Sequence, residues 1–287
     1  MRVKAFDRYF DATLRAHCDA PGALGRAIRY AALSPGKRMR PLLVLTSCEA
    51  VGGNWRQALP AAVALECVHA FSLVHDDLPA MDDDDYRRGR LTTHKKFGEA
   101  LGVLAGDALL AFAFEELSRS VLLGVSSDRT LAATHRLARA SGGESLIAGQ
   151  ALDIAAEGKR VTREQVVTIH EKKTGALLGA CMAIGALIGG AEHDQVEALE
   201  AAGVALGLAF QIHDDLLNAA SSLARLGKRP GTDAARGKAT FPRAVGVERS
   251  VREAQVLLTE VHRFIREQFP RGGHLRKLIV AVASRQR

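Results

Sequence analysis

Residues 72–90 read SLVHDDLPAMDDDDYRRGR and continue an apolar run that begins at Ala61. The run predicts a largely buried helix. Pro79 disfavours helical geometry at the residue before it, so the helix should end near Asp77. Two carboxylates, Asp76 and Asp77, then lie at the negative pole of the helix dipole, an unfavourable place unless a cation joins them. The stretch therefore predicts a bound divalent metal.

The turn at Pro79 can bring Asp82 back towards Asp76, although the two would point apart on an unbroken helix. Hard oxygen ligands without Cys or His at metal-ligand spacing favour magnesium. Taken alone, residues 82–85 would more often be a solvated acidic turn.

A second acidic motif favours the metal interpretation. Residues 210–218 read FQIHDDLLN and follow another apolar run, residues 201–209. Asp214 and Asn218 are four residues apart and therefore share one helix face. Two such helices packed together would present opposed acidic rims across a cavity.

Length and composition allow one large helical domain or two ordinary ones, and we favour a single domain over residues 1–287. Residues 1–7 are charged and lack the apolar segment of a signal peptide, which predicts a cytoplasmic location. The four cysteines have no paired spacing and are expected to be reduced, buried thiols.

Neither a membrane span nor nucleic-acid binding is expected. The run 176–191 is shorter than the roughly 20 residues that a membrane span needs, and it suits a buried core helix. The net charge is +7, but aromatic residues make up only 5% of the chain. The basic residues cluster around the acidic motifs and near the C-terminus, which favours a small polyanionic substrate.

The remaining sequence predicts an all-α protein, because no segment shows the alternation of a convincing strand. Residues 36–41 read GKRMRP and place three cations just before a predicted helix, 42–51, where they are suited to hold a phosphate. Capping-box spacing at Thr162 and Ser250 predicts two helix starts. Residues 219–240 are rich in Gly and Lys and predict a mobile cationic flap.

Both acidic motifs, the GKRMRP loop, Lys173-Thr174-Gly175 and Phe210-Gln211 occur in an order that resembles trans-polyprenyl diphosphate synthases, especially bacterial farnesyl diphosphate synthases. The resemblance runs from about Gly25 to Pro242. It implies a single-domain bundle of roughly ten or more helices around a deep central cavity, usually in a homodimer. It also implies that isopentenyl diphosphate is condensed with an allylic diphosphate, either dimethylallyl or geranyl diphosphate.

The same resemblance assigns roles to individual residues. Magnesium, about three ions per site, would be bound by Asp76, Asp82 and Asp214 with support from Asp77 and Asp215. The allylic diphosphate would contact Arg87, Lys173 and Lys228. Isopentenyl diphosphate would contact Lys37, Arg40, His69 and Arg88. Thr174, Gln211 and Lys238 would complete the rim.

Product length is expected to depend on Phe71, with small Ser72 between its ring and the metal site. An aromatic residue at this place in the similar farnesyl diphosphate synthases limits the product to fifteen carbons. Farnesyl diphosphate is therefore the expected product, with geranylgeranyl diphosphate as the alternative.

One position departs from the family pattern. The second motif has Asn218 where the family normally has a third Asp, which weakens the expected magnesium binding on that side. A weakly active subunit that modifies a prenyl synthase partner is therefore an alternative. A terpene cyclase is another, but it would not need Lys37, Arg40 and Arg88 for a second diphosphate.

Overall fold

The computed structural model describes residues 2–18, 20–224 and 237–283, which form a helical bundle. The helices are α1 (Arg2–His17), α2 (Gly22–Ala32), α3 (Met39–Ala50), α4 (Leu59–Asp76), α5 (Thr93–Phe97), α6 (Glu99–Ser118), α7 (Ser127–Ser141), α8 (Leu146–Ala156), α9 (Arg163–His170), α10 (Ala176–Gly189), α11 (His193–Ala224), α12 (Phe241–Val245), α13 (Val247–Gln268) and α14 (Gly273–Ala283). Two 3₁₀ turns, Trp55–Ala58 and Arg119–Leu123, precede α4 and follow α6. The all-α prediction is confirmed.

Helix α10 lies at the centre of the bundle, and every side chain from Leu177 to Ala186 is buried. It packs against α11 on one side and α3 on another. Glycines allow these close approaches: a Cβ at Gly203 would lie 2.7 Å from the Cα of Gly179, and a Cβ at Gly185 would lie 2.3 Å from the carbonyl oxygen of Val44. A larger residue at either place would push the helices apart.

A five-residue π-helical segment, Glu171–Gly175, joins α9 directly to α10. The sequence predicted a separate helix before the apolar run, whereas the structure has one continuous helix of 27 residues, Arg163–Gly189. Such π segments frequently mark functional sites because they redirect side chains within a helix. Here the segment carries Lys173 and Thr174.

Within the part of the chain that the structure describes, three helical stretches are long and apolar enough to cross a membrane: Trp55–Asp76, Arg163–Gly189 and His193–Ala219. The apolar windows of these stretches are 78%, 72% and 50% buried inside the fold. The length argument against a span at residues 176–191 is thus wrong. Burial against neighbouring helices is what assigns this run to the core.

The sequence missed a small β-hairpin. Strand β1 (Tyr86–Arg87) pairs antiparallel with β2 (Arg90–Leu91). The two turn residues, Arg88 and Gly89, have φ values of 53° and 75°, as a two-residue hairpin turn requires. Strands of two residues are too short to show alternation.

The structure confirms some of the predicted helix boundaries and contradicts others. Helix α4 ends at Asp76, one residue from the expected end. The capping box at Thr162 is confirmed, since its side chain and that of Gln165 each accept from the other's backbone N–H. The capping box at Ser250 is wrong: α13 begins at Val247, and the Ser250 hydroxyl donates to the Gly246 carbonyl instead. Residues 219–224 extend α11, while most of the expected flap, with Lys228, lies outside the described residues.

Candidate functional site

The two acidic motifs meet at a cavity of about 570 Å³. Asp76 enters from the end of α4, Asp214 from α11, and Lys173 and Thr174 from the π segment. Lys37, Arg40, His69, Ser72, Arg87, Arg88 and Gln211 also line it. The structure therefore brings most of the predicted site residues to one cavity.

The turn after α4 folds the first motif back on itself. The backbone N–H of Asp82 donates to the carbonyl of Asp76 at 2.7 Å, and that of Asp84 donates to the carbonyl of Asp77 at 3.3 Å. Burial raises the pKa of Asp76 to about 6, with Lys173 opposing the shift and the nearby Asp82 carboxylate adding to it. A cation between the Asp76 and Asp82 carboxylates would favour their charged forms and so offset both effects.

The carboxylates of Asp77 and Asp215 accept hydrogen bonds from other groups of the protein. Arg87 Nε donates to Asp77 Oδ1 at 2.6 Å, and Asp77 is only 3% exposed. Asp215 accepts from Phe241 N at 2.8 Å and from Gln211 at 3.3 Å, and its Oδ2 lies 2.9 Å from His170 Nε2. Both carboxylates connect neighbouring elements of the site, and their part in metal binding stays a prediction.

Among the described residues that the sequence assigned to the site, three cations are paired with carboxylates. Besides the Arg87–Asp77 pair, Lys173 Nζ donates to Asp153 Oδ2 at 2.6 Å, and Lys238 Nζ donates to Asp82 Oδ1 at 3.0 Å. The Lys238 contact joins the residues after the second motif to the first motif. An incoming diphosphate would compete for these cations.

Arg40 differs from those three cations. It is intermediate in exposure as a whole residue, but its Nε is buried and has no hydrogen-bond partner among the described residues. Burial lowers the pKa of Arg40. A buried, unpartnered donor of a charged group is costly, so this wall of the cavity is suited to an anion.

His69 lies beside the same cations. Burial and the nearby Arg40, Arg88, Arg87 and Arg38 hold its pKa well below the usual value. The imidazole is therefore neutral at pH 7, and it can donate a hydrogen bond without adding charge.

The hairpin and the cationic loop are joined. Arg88 Nη1 donates to the carbonyl of Pro35 at 2.8 Å, and a Cβ at Gly36 would lie 2.6 Å from that nitrogen. Gly36 therefore leaves room for the Arg88 guanidinium against the loop that carries Lys37. The tight turn of the hairpin sends Arg87 and Arg88 to different partners.

Phe71 does not line the cavity, whereas Ser72 and Leu73 do. Its side chain is 5% exposed and packs edge-on against His75, with ring centroids 5.7 Å apart. His75 Nε2 in turn lies 3.0 Å from the Val103 carbonyl of α6. The Phe71 ring thus packs towards the α4–α6 contact.

Sequence reasoning missed four residues of the site, Glu66, Gln150, Asp153 and His170, and it did not separate Arg38 from the other two cations of the GKRMRP segment. Glu66 carried a usable signal, because a single carboxylate inside an apolar helical run needs a buried partner. Asp153 and His170 are distant in sequence from Lys173 and Asp215, the residues they contact, so no spacing rule reveals them.

Comparison with known proteins gives the class. A polyprenyl synthetase family model matches residues 21–277, and the chain belongs to that family. Geranylgeranyl pyrophosphate synthase 7 of Arabidopsis thaliana is 45% identical over 245 residues, which cover 84% of this chain and 70% of that protein. A heterodimeric geranylgeranyl pyrophosphate synthase large subunit 1 from the same plant is 46% identical over 244 residues, covering 84% and 66%.

Solved structures agree with the fold. An FPP/GFPP synthase from Zymomonas mobilis has a TM-score of 0.86 and 36% identity, covering 97% of this chain and 96% of its own. A Helicobacter pylori geranyltransferase, complexed with magnesium and isoprenyl diphosphate, has a TM-score of 0.81 and 31% identity, covering 98% and 94%. The resemblance to trans-prenyl diphosphate synthases and the isoprenoid-synthase bundle are confirmed.

Proposed function

We propose that this protein condenses isopentenyl diphosphate with allylic diphosphates and releases geranylgeranyl diphosphate as its main product. The observation that carries the proposal is the cavity itself, with opposed carboxylates Asp76 and Asp214 and the unpartnered Nε of Arg40 on its wall. Such a site is suited to two diphosphates, one held by cations and one held through a metal.

The residues present fit magnesium. The donors are carboxylate oxygens, and burial leaves Asp76 with a raised pKa that a cation would reverse. No group of three or more His, Cys, Asp or Glu side chains forms a metal cluster within residues 2–18, 20–224 and 237–283. Magnesium is commonly bound by one or two carboxylates together with substrate phosphates, so Asp76, Asp82 and Asp214 would hold it jointly with the allylic diphosphate. When bound, it supplies positive charge that stabilises the leaving pyrophosphate.

The chain's own residues then act on charge and position. Arg87, Lys173 and Lys238 would exchange their carboxylate partners for oxygens of the allylic diphosphate, where negative charge develops as the C–O bond breaks. Lys37, Arg40 and Arg88 would hold isopentenyl diphosphate, with His69 as a neutral donor. No protein nucleophile is required, because the double bond of isopentenyl diphosphate attacks the allylic carbon as its C–O bond breaks. The released pyrophosphate then takes the proton whose loss restores an alkene in the product.

The product assignment differs from the sequence expectation of farnesyl diphosphate. Two observations support the longer product: the curated relatives named above are geranylgeranyl pyrophosphate synthases, and the Phe71 ring packs towards His75. Farnesyl diphosphate is the competing assignment, because the similar structure from Zymomonas mobilis is that of an FPP/GFPP synthase.

The test is product analysis of the purified protein with isopentenyl diphosphate, Mg²⁺ and each of dimethylallyl, geranyl and farnesyl diphosphate. Chains of twenty carbons are expected from all three primers. Products that stop at fifteen carbons would restore the farnesyl assignment. If the protein forms no product by itself but condensation occurs after a prenyl synthase partner is added, the partner-subunit alternative is favoured.

A pair of variants tests the wall of the cavity. Ser72→Phe places a ring where the small side chain lines the cavity, and the product should shorten to fifteen carbons. Phe71→Leu is the matched control and should leave the product length unchanged. If Phe71→Leu lengthens the product while Ser72→Phe does not shorten it, Phe71 is the floor after all.

Homodimer formation and a cytoplasmic location stay predictions. Leu122 and Leu131 are each 70% exposed, which provides an apolar surface that a second copy could cover.

A further inference from the structure

Arg38 is the last residue of the loop before α3, between Lys37 in the loop and Arg40 in the first turn of the helix, but its surroundings differ from theirs. It is only 9% exposed, whereas Lys37 is exposed. Its backbone is left-handed, with φ of 50° and ψ of 37°, at the residue that caps α3. This conformation is uncommon for a residue other than glycine, and it persists only where surrounding contacts hold it.

Those contacts come from two helices. Arg38 Nη1 donates to Glu66 Oε1 of α4 at 2.6 Å, and Glu66 is 4% exposed. Arg38 Nε donates to Asp7 Oδ1 of α1 at 3.1 Å. The guanidinium carbon lies 5.9 Å and 5.8 Å from the ring centroids of Phe6 and Phe10. The side chain thus connects the loop to α1 and α4 together.

The residues that Arg38 contacts on α4 and on α1 are each held in place by their own helix. Glu66 lies one helical turn before His69 on α4, so the Arg38–Glu66 pair fixes the loop relative to a predicted ligand of isopentenyl diphosphate. Phe6 and Phe10 are fully buried on α1. Helix α1 precedes the region that the family model matches, residues 21–277.

We propose that Arg38 is a positioning residue for the isopentenyl diphosphate subsite. It sets the backbone of residues 34–38 so that Lys37 and Arg40 converge on one diphosphate, and α1 supports it through Asp7, Phe6 and Phe10. The N-terminal helix is thereby part of the substrate site. This inference rests on the proposed function.

The test measures the dissociation constant of isopentenyl diphosphate by calorimetry, and the Michaelis constants of both substrates. Asp7→Asn is the principal variant, because the Asp7 side chain is 46% exposed and the change removes its charge while keeping its size. Asp11→Asn is the matched control, one turn further along α1, where the aspartate pairs with Arg15 of the same helix.

We expect Asp7→Asn to weaken isopentenyl diphosphate binding about threefold, with the allylic Michaelis constant unchanged and Asp11→Asn like wild type. Arg38→Met should weaken binding at least tenfold, and Arg38→Lys should recover part of the loss, since it restores a cation but not the two-sided guanidinium contacts. Circular dichroism checks that each variant is folded.

Unchanged binding in Asp7→Asn, or equal effects on both substrates, would overturn the positioning role. If wild type binds isopentenyl diphosphate but forms no product, the proposed function fails while the binding series still tests Arg38. If the wild-type protein does not bind isopentenyl diphosphate, both the proposed function and the positioning role of Arg38 fail.

Discussion

Asp215→Ala removes a carboxylate that holds three parts of the site together. The carboxylate is 5% exposed, accepts from the backbone N–H of Phe241 and from Gln211, and contacts His170. Hydrogen bonds to a charged group contribute about 1.5–3 kcal/mol each, and the contacts with Phe241 and His170 are short. We therefore expect the free energy of unfolding to fall by about 4 kcal/mol, allowing for weak bonding to Gln211.

Urea denaturation of wild type and variant, each without added metal, measures this loss. Asp214→Ala, one residue earlier and lining the cavity, is the control, and it should lower activity more than stability. A structural role for Asp215 predicts that its loss is the same with or without Mg²⁺. If instead Asp215→Ala unfolds like wild type without metal and only raises the Mg²⁺ requirement, Asp215 is a metal ligand and the contacts described above contribute little.

Three further outcomes are expected. Because burial gives Asp76 a pKa of about 6, protons should compete with Mg²⁺ below that pH, and half-saturating Mg²⁺ should rise about tenfold per pH unit; a constant requirement from pH 5 to 7 would contradict this. Glu116 is a buried residue of α6, and burial raises the pKa of its carboxyl from 4.5 to about 7. The protonated carboxyl therefore stabilises the fold below pH 4.5, and this contribution is lost as pH rises to 7. Glu116→Gln should reduce that pH-dependent fall in unfolding free energy by about 3 kcal/mol, and parallel curves would refute the assignment. Asn218→Asp should raise the rate or lower the Mg²⁺ requirement, and no change in either would place residue 218 outside the metal shell.

The sequence by itself predicted those features that depend only on residues adjacent along the chain. The end of α4 near Asp77 follows from Pro79, and the return of Asp82 towards Asp76 follows from the turn that Pro79 starts. The all-α class follows from apolar periodicity. Because these signals act over a few residues, they survive without knowledge of the rest of the chain.

Tertiary structure decided what those residues contact. Ser72 lines the cavity and Phe71 does not, although both are adjacent on α4, because α6 lies against the Phe71–His75 side. Arg38 looks like one more loop cation in the sequence, yet it is buried between α1 and α4. Arg38 is 31 residues from Asp7 and 28 residues from Glu66 along the chain. Contacts over such distances depend on how the helices pack, because no local spacing brings these side chains together.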